Sequence, residues 1–279
     1  MIDQVMMLAT INSVFYSRAL RRRHPPVFTF LLLFGFYNLA PHVNAQTQAP
    51  TDLRERPARI FQEAQVRYQR ETNQTEASWH FSRACFDWAE FATNHTQRAE
   101  IAVLGITAGH QAVARDPKLA AGHYYLAMNL GQLAQTKKLG ALKIVDEMER
   151  EFKAARGFDA GFDFAGPERG LGLLYLDAPG WPMSVGNRNK ARQHLQKAVE
   201  LSPDFPDNRL SLLEAYLKWG EKQNVQSQLE VVEKVLAAAC KKLTGEAWTT
   251  SWEDWDRRWE KIKSKMSESE KSVQSPKSK

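Results

Sequence analysis

The stretch from Phe164 to Pro203, FAGPERGLGLLYLDAPGWPMSVGNRNKARQHLQKAVELSP, contains two helical segments separated by a loop rich in glycine and proline. The first segment holds Leu171-Gly172-x-x-Tyr175, in which a small residue lets a partner helix approach and an aromatic ring fills the adjoining space. The second holds Ala191-x-x-x-Leu195-x-x-Ala198 and ends at Pro203, which has no N–H group to continue a helix. The stretch therefore predicts a hairpin of two closely packed helices.

Similar hairpins recur along the chain, with starts near residues 76, 120, 165 and 206. Helical periodicity without strand-like alternation predicts further helices over 76–92, 100–115, 120–134, 139–155, 206–219 and 225–239. The pattern of Leu-Gly-x-x-Tyr, alanines and proline is that of the tetratricopeptide (TPR) repeat, although Glu168 stands where that repeat has Trp. The spacing exceeds the roughly 34 residues of a TPR, and the excess lies in the insertions 157–163 and 178–186. We therefore predict an all-α, TPR-like helix-turn-helix repeat array, residues 58–245, with long inter-helix insertions.

The first 45 residues predict an export signal. Three arginines at 21–23 precede a short apolar run, Val27 to Phe36, and then the small-residue site Val43-Asn44-Ala45. The apolar run is shorter than the roughly 20 residues that span a bilayer. We expect cleavage after Ala45, with an uncleaved anchor as the alternative. Residues 46–57, with two prolines and few apolar residues, predict a linker.

The C-terminal part of the chain carries a tryptophan stripe. Trp248, Trp252, Trp255 and Trp259 are spaced four, three and four residues apart, which places them on one face of a helix. We predict an amphipathic helix over 246–262 that docks on the last repeat, because the end of a repeat array needs a cover. The alternative is a helix that binds a partner or a membrane interface. The Ser/Lys-rich residues 263–279 predict a disordered tail.

Composition and motifs argue against several functions. The formal charge of +6 falls to +3 without residues 1–45, which carry four arginines and one aspartate, and no basic stripe with interleaved aromatics predicts nucleic-acid binding. The sequence holds no His-Glu-x-x-His, phosphate-binding loop or Gly-x-Ser-x-Gly elbow. We predict no catalysis, no cofactor and no metal site. Cys85 and Cys240 are interpreted as small buried packing residues, with a disulfide between them as the alternative.

In a TPR-like array the first helix of each pair lines a concave surface that binds a partner. With Leu171 and Gly172 as packing residues, the inward positions are Arg169, Leu173, Leu176 and Asp177. The same positions in the neighbouring units are Tyr124, Met128, Gly131 and Gln132, and Leu210, Glu214, Leu217 and Lys218. These side chains suit a binding groove with apolar walls and polar anchors. The alternative is that they are ordinary exposed or helix-packing residues.

Several runs resemble the TatT component of TRAP transporters, a family of periplasmic TPR-like proteins. The runs are Gly122-His-Tyr-Tyr-Leu-Ala-Met-Asn-Leu-Gly131, Gly140-Ala-Leu-x-x-Val145, Asp159-x-x-Phe-Asp-x-x-Gly-Pro-x-Arg-x-Leu-Gly172-x-Leu-Tyr175 and Lys190-Ala-x-x-His-Leu-x-x-Ala-x-x-Leu-x-Pro203. Gly166-Pro-x-Arg169-x-Leu-Gly, together with the inserted Pro-rich loop, is the most specific of these features. The chain lacks the lipid-anchoring Cys that family members can carry.

The resemblance implies a periplasmic protein, expected as a homotrimer, that binds the solute-binding component of a TRAP system and presents a cavity to a small apolar ligand. Carried over to this sequence, Tyr124, Arg169, Asp177 and Trp181 would line or border that cavity. The candidate ligand- or partner-binding residues are thus Tyr124, Met128, Gln132, Arg169, Leu173, Asp177 and Trp181. The alternative function is a periplasmic scaffold for envelope protein assembly that binds peptides in the same groove.

Overall fold

A computed structural model of the chain describes residues 53–137 and 141–274. Within these residues it contains ten α-helices and no strand. The helices are α1 (Glu55–Arg70), α2 (Thr75–Ala89), α3 (His95–Arg115), α4 (Ala120–Ala134), α5 (Ala141–Phe158), α6 (Phe162–Asp177), α7 (Arg188–Leu201), α8 (Pro206–Lys218), α9 (Lys222–Lys242) and α10 (Thr249–Gln274). A 3₁₀ turn, Glu246–Trp248, precedes α10. The all-α prediction is confirmed.

The helices form antiparallel pairs that stack side by side. The pairs are α2/α3, α4/α5, α6/α7 and α8/α9, and the first helices of successive pairs also touch one another. These first helices, α2, α4, α6 and α8, are called the inner helices below. Their starts agree with the predicted repeat starts near 76, 120, 165 and 206, and the predicted helix over 120–134 has the observed bounds. None of the helices that the structure describes is both long and apolar enough to cross a membrane.

Small residues set the spacing both within the pairs and between them. A Cβ atom on Gly172 would lie 2.6 Å from Cγ of Leu195, and the side chain of Asn129 fills the space that a Cβ on Gly105 would need. Leu171, Leu195, Ala191 and Ala198 are all fully buried. The small and large residues that predicted the hairpin are therefore the residues at which α6 and α7 meet.

The chain enters α6 through a left-handed turn. Asp163, Phe164 and Ala165 have φ angles of 50°, 56° and 63°, a region that costs a residue with a side chain roughly 1–2 kcal/mol. The backbone oxygen of Phe164 accepts hydrogen bonds from Arg169 (3.2 Å) and Asn208 (3.0 Å), which compensates this cost. Gly166 follows the turn, and a Cβ there would lie 2.7 Å from the Tyr124 ring. The Gly-Pro-x-Arg motif thus positions Asp163 and Phe164 on the inner face.

The C-terminal helix is longer than predicted. The tail prediction is wrong for residues 263–274, because α10 runs to Gln274, and residues 275–279 lie outside the described part. The tryptophan stripe continues: Trp255, Trp259, Ile262 and Met266 are buried in one cluster with Val232 and Leu236 of α9 and Leu213 of α8. The helix docks on the last unit, as predicted, and contacts its inner helix α8.

Other boundaries and the cysteines also differ from the predictions. Helix α1 begins at Glu55, so the predicted linker 46–57 overlaps it by three residues; the signal peptide and the linker's first part lie outside the described residues. Cys85 is buried as predicted, whereas Cys240 is exposed, and both thiols are free. Cys240 lies on the outer face of α9, where its thiol donates to the backbone oxygen of Ala237.

Candidate functional site

The inner helices enclose a cavity of about 590 Å³. Every residue that lines it comes from an inner helix or its flanking residues, from the first turns of α1, or from the segment 247–265 that contains most of α10. No residue of α3, α5, α7 or α9 takes part in this lining. The surface that the repeat pattern predicted as concave is therefore the wall of this cavity, with α1 at one end and α10 at the other.

Five of the seven candidate residues lie on the cavity wall. These are Tyr124, Met128, Arg169, Leu173 and Asp177. Four further inward positions, Leu176, Glu214, Leu217 and Lys218, line it as well. Met128, Leu173, Leu176 and Leu217 are only half-buried, so they form an apolar strip that runs across α4, α6 and α8. The strip can accept apolar groups of a ligand.

Gln132 and Trp181 lie elsewhere. Gln132 is fully buried between the helices of the first two units, where its amide donates to Glu90 and accepts from Arg98. Trp181 is 89% exposed on the loop between α6 and α7. That loop is closed on itself, because the Gly186 N–H donates to the Pro179 oxygen (2.8 Å) and the Asn187 N–H to the Tyr175 oxygen (2.9 Å). The loop thus holds Trp181 away from the cavity.

Arg169 is the centre of a buried polar cluster on the wall. Its guanidinium donates to Asn208 Oδ1 at 2.7 Å and lies 3.2 Å from Asp207 Oδ2 and 3.8 Å from Asp163 Oδ2. Burial alone would lower the pKa of Arg169, but the negative charges of the Asp207 and Asp163 carboxylates outweigh it, so the pKa is raised. The side chain therefore fixes the left-handed turn at the start of α6 against the start of α8.

Arg258 of α10 forms a second cluster beside the first. Its guanidinium makes a bidentate contact with Glu214 at 3.0 and 2.8 Å, donates to Ser211 at 3.0 Å, and pairs with Asp207 and Asp254. Asp207 thus joins Arg169 and Arg258. Sequence reasoning did not find this contact, since Arg258 lies 44 residues from Glu214 and the tryptophans dominate the helix pattern.

Asp177 and Lys218 connect α6 and α8 near the apolar strip. Lys218 Nζ lies 2.6 Å from Asp177 Oδ1 and also donates to the backbone oxygen of Leu176 at 3.1 Å. Burial raises the pKa of Asp177 to about 6, although Lys218 acts in the opposite direction. Burial also raises the pKa values of Tyr124 and Tyr125, so both phenols are neutral hydrogen-bonding groups.

The arrangement offers binding rather than metal chemistry. Among the residues that the structure describes, no group of three or more His, Cys, Asp or Glu side chains could hold a metal ion. The cavity instead combines half-buried apolar side chains with fixed charged groups, which is the composition of a binding site for a peptide or a small ligand.

Comparisons with known proteins support the repeat fold. A family model described as "Regulator of microtubule dynamics protein 1-3" matches residues 45–145, which end within α5. The crystal structure of TTC0263, a thermophilic TPR protein of Thermus thermophilus, is similar with a TM-score of 0.55 and 20% sequence identity. The similarity covers 74% of this chain and 90% of that chain. No curated protein sequence matches.

These findings define the class of protein. The chain has the fold of a TPR-like helical-repeat protein, in which pairs of antiparallel helices stack side by side. The family match covers α1 to the start of α5, whereas α6, α8 and α10, which supply most of the cavity wall, lie beyond it.

Proposed function

We propose that this protein is an adaptor that binds a partner protein by holding a segment of it in the cavity. The observation that carries the proposal is that all four inner helices contribute to one wall, with an apolar strip across three of them. A strip of half-buried Met and Leu side chains leaves apolar surface in contact with water, and a bound segment would cover it. The proposal includes no catalytic step.

The size of the cavity favours a second candidate, a small apolar ligand. Helices α1 and α10 bound the cavity at its two ends, and 590 Å³ falls within the usual range of small-molecule pockets. In this form the proposal follows the resemblance to TatT: a periplasmic auxiliary protein that delivers or receives an apolar solute with a TRAP solute-binding protein. A peptide-binding scaffold for envelope assembly uses the same cavity without a small ligand.

The family match favours a different partner for the same adaptor. The matching model describes regulators of microtubule dynamics, and a chain of that kind would bind a protein that acts on microtubules. In all three versions a partner protein binds at the inner helices, and in the transport version the cavity also holds an apolar solute. The versions differ in the partner that is recovered. The identity of the protein captured in the cavity therefore decides among them.

A photo-crosslinking experiment tests the proposal. The photoreactive residue p-benzoylphenylalanine replaces Met128 or Leu173 on the strip, and Val66, which is 61% exposed on α1 outside the cavity wall, serves as the matched control. We expect the full-length chain, irradiated in cells that express it, to capture the same partner from both cavity positions and not from Val66. Solvent extraction of the purified chain followed by mass spectrometry detects an apolar ligand.

Each result has a definite reading. Capture of a TRAP solute-binding protein supports the transport version, a microtubule-associated protein supports the version from the family match, and an envelope-assembly protein supports the scaffold. The adaptor proposal is contradicted if all three positions capture the same proteins. It is also contradicted if neither cavity position captures a protein.

A further inference from the structure

On the cavity wall every carboxylate has a partner side chain among the described residues, whereas some of the cations do not. Seven carboxylates line the cavity, and each contacts a cationic or amide side chain of the protein. Arg169 and Arg258 together hold four of them, and Lys218 holds Asp177. The acidic side chains are thus already paired, so the wall offers no free negative charge to attract a basic ligand.

Three cations on the same wall make no ion pair with any described residue. Arg56 lies in the first turn of α1, and Lys261 and Lys265 lie one turn apart on α10. Arg56 is half-buried, whereas both lysines are exposed. The three side chains come from the two ends of the array. Arg59 of α1 lies 3.2 Å from Glu246, just before α10, so these two ends are in contact next to the cavity.

We infer that the cavity binds an acidic segment of a partner protein, with apolar side chains on the strip and carboxylates facing Arg56, Lys261 and Lys265. This inference rests on the proposed function and adds the charge of the partner. The wall carries as many cations as carboxylates, seven of each. The preference for an acidic segment therefore comes from the three cations that make no ion pair with a described residue and not from the net charge of the wall. An acidic segment can pair with the three cations without breaking an existing contact. A basic segment would have to displace a cation that already holds a carboxylate, and such a mismatch disfavours it.

Designed peptides test the inference on the full-length chain. Three fluorescein-labelled 12-residue peptides share leucines at every third or fourth position and differ at the remaining positions, which are Glu, Gln or Lys. Fluorescence anisotropy at 50 mM salt should show binding at least about tenfold tighter for the Glu peptide than for the Gln peptide. Because exposed charges are screened, this preference should shrink at 500 mM salt.

Two triple variants with an equal change in net charge show whether the cavity cations are responsible for binding of the Glu peptide. R56Q/K261Q/K265Q removes the three cavity cations, and K118Q/K143Q/K241Q removes three exposed cations outside the cavity wall. We expect the first to weaken binding of the Glu peptide about tenfold and the second to change it less than twofold. Circular dichroism spectra and melting temperatures check that both variants are folded.

The outcomes separate the inference from the proposed function. Equal binding of the Glu and Gln peptides, or equal losses in the two triple variants, overturns the inference, as does a neutral or basic segment in the photo-crosslinked partner. In these cases the adaptor proposal stands. Binding to phosphatidylserine vesicles that depends on the three cations, without binding of the Glu peptide, replaces the acidic segment by a lipid surface. Absence of any cavity partner in the crosslinking experiment removes both proposals.

Discussion

A buried arginine lies near each end of the cavity, and the two arginines have different surroundings. At the N-terminal end, Arg98 of α3 donates to the amide oxygens of Gln132 and Gln135, and Gln132 in turn donates to Glu90. At the C-terminal end, Arg258 contacts three carboxylates directly. The first cluster packs between the first two units and reaches the cavity wall only through Glu90, whereas the second lies entirely on the cavity wall and joins α10 to α8.

The difference shows that equivalent repeat positions take different roles. Gln132 of α4 and Asp177 of α6 occupy the same position in successive units, yet Gln132 packs between helices and Asp177 lines the cavity. In the first two units Gln132 and Arg98 are used in packing, although other polar residues of these units line the cavity. In the last two units Asp207 and Glu214 bind α10 and also line the cavity, so the stability of this end and its ability to bind are linked.

Arg258→Ala should give the largest effect on stability. Removal of one partner from a buried ion-pair cluster leaves the others without compensation and typically costs about 3–5 kcal/mol. Here Asp207, Glu214 and Asp254 would all lose their contact with Arg258. We expect the free energy of unfolding, measured in urea, to fall by about 4 kcal/mol, with α10 detached from α8.

The neighbouring Arg257 provides the control for this prediction. Its side chain is 52% exposed and forms an ion pair with Asp254. Arg257→Ala should therefore cost less than about 1 kcal/mol. Equal losses for the two variants would show that α10 is held by its tryptophans and that the carboxylate cluster contributes little.

Arg98→Leu should have a smaller effect at the other end. The substitution leaves the buried Gln132 oxygen without its donor, and an unsatisfied buried polar group costs about 1–3 kcal/mol. We expect a loss of about 2–3 kcal/mol in urea unfolding. Arg83→Leu, which removes an exposed arginine 3.8 Å from Asp87, should cost less than about 0.5 kcal/mol. If Arg98→Leu lowered the free energy of unfolding as much as Arg258→Ala, the two arginines would contribute equally to stability, contrary to this comparison.

Much of the fold could be predicted because it depends on local patterns. Alanine and glycine positions with 3.6-residue periodicity gave the helices, and Leu171-Gly172-x-x-Tyr175 gave the contact at which α6 meets α7. The extent of α10 was missed because the Ser/Lys-rich tail hides Met266, which follows Ile262 in continuing the tryptophan stripe. A search for apolar residues at i, i+4, i+7 and i+11 from Trp255 would have found them.

The candidate site was less predictable because its polar contacts join residues far apart in the sequence. The repeat register placed Tyr124, Met128, Arg169, Leu173 and Asp177 on one surface, but it could not show that Gln132 turns toward Arg98. Nor could it show that Asp207 bridges Arg169 and Arg258, since that contact requires α10 to lie on α8. Periodicity shows on which face of a helix a residue lies, but the packing between helices decides which side chains it contacts.

The contribution of Asp177 to stability is expected to depend on pH. Its pKa is raised from 3.8 to about 6 by burial, so the folded state favours the protonated carboxyl. The stability that this group contributes is fully present below the unfolded pKa and is lost as the pH rises through about 6. The stability of the wild type relative to Asp177→Asn should therefore increase by about 2 kcal/mol from pH 7.5 to pH 4.5.

Urea unfolding of both proteins across this pH range measures the difference, and other titrating groups cancel because they are common to both. A flat difference for Asp177→Asn would show that Lys218 keeps the carboxylate ionised and that burial does not govern this side chain.

The smallest effect is expected where the two ends meet, at Arg59 and Glu246. Their side chains are 54% and 53% exposed and lie 3.2 Å apart, and exposed pairs contribute about 0.2–1 kcal/mol. A double-mutant cycle with Arg59→Ala and Glu246→Ala should give a coupling energy below about 1 kcal/mol that decreases further in 500 mM salt. Since a contact of this strength breaks readily, it would let α1 separate from the segment before α10 and admit a ligand without unfolding either cluster. A coupling comparable to the loss in Arg258→Ala would instead mean that the two ends are locked together, and entry would then require the displacement of α10.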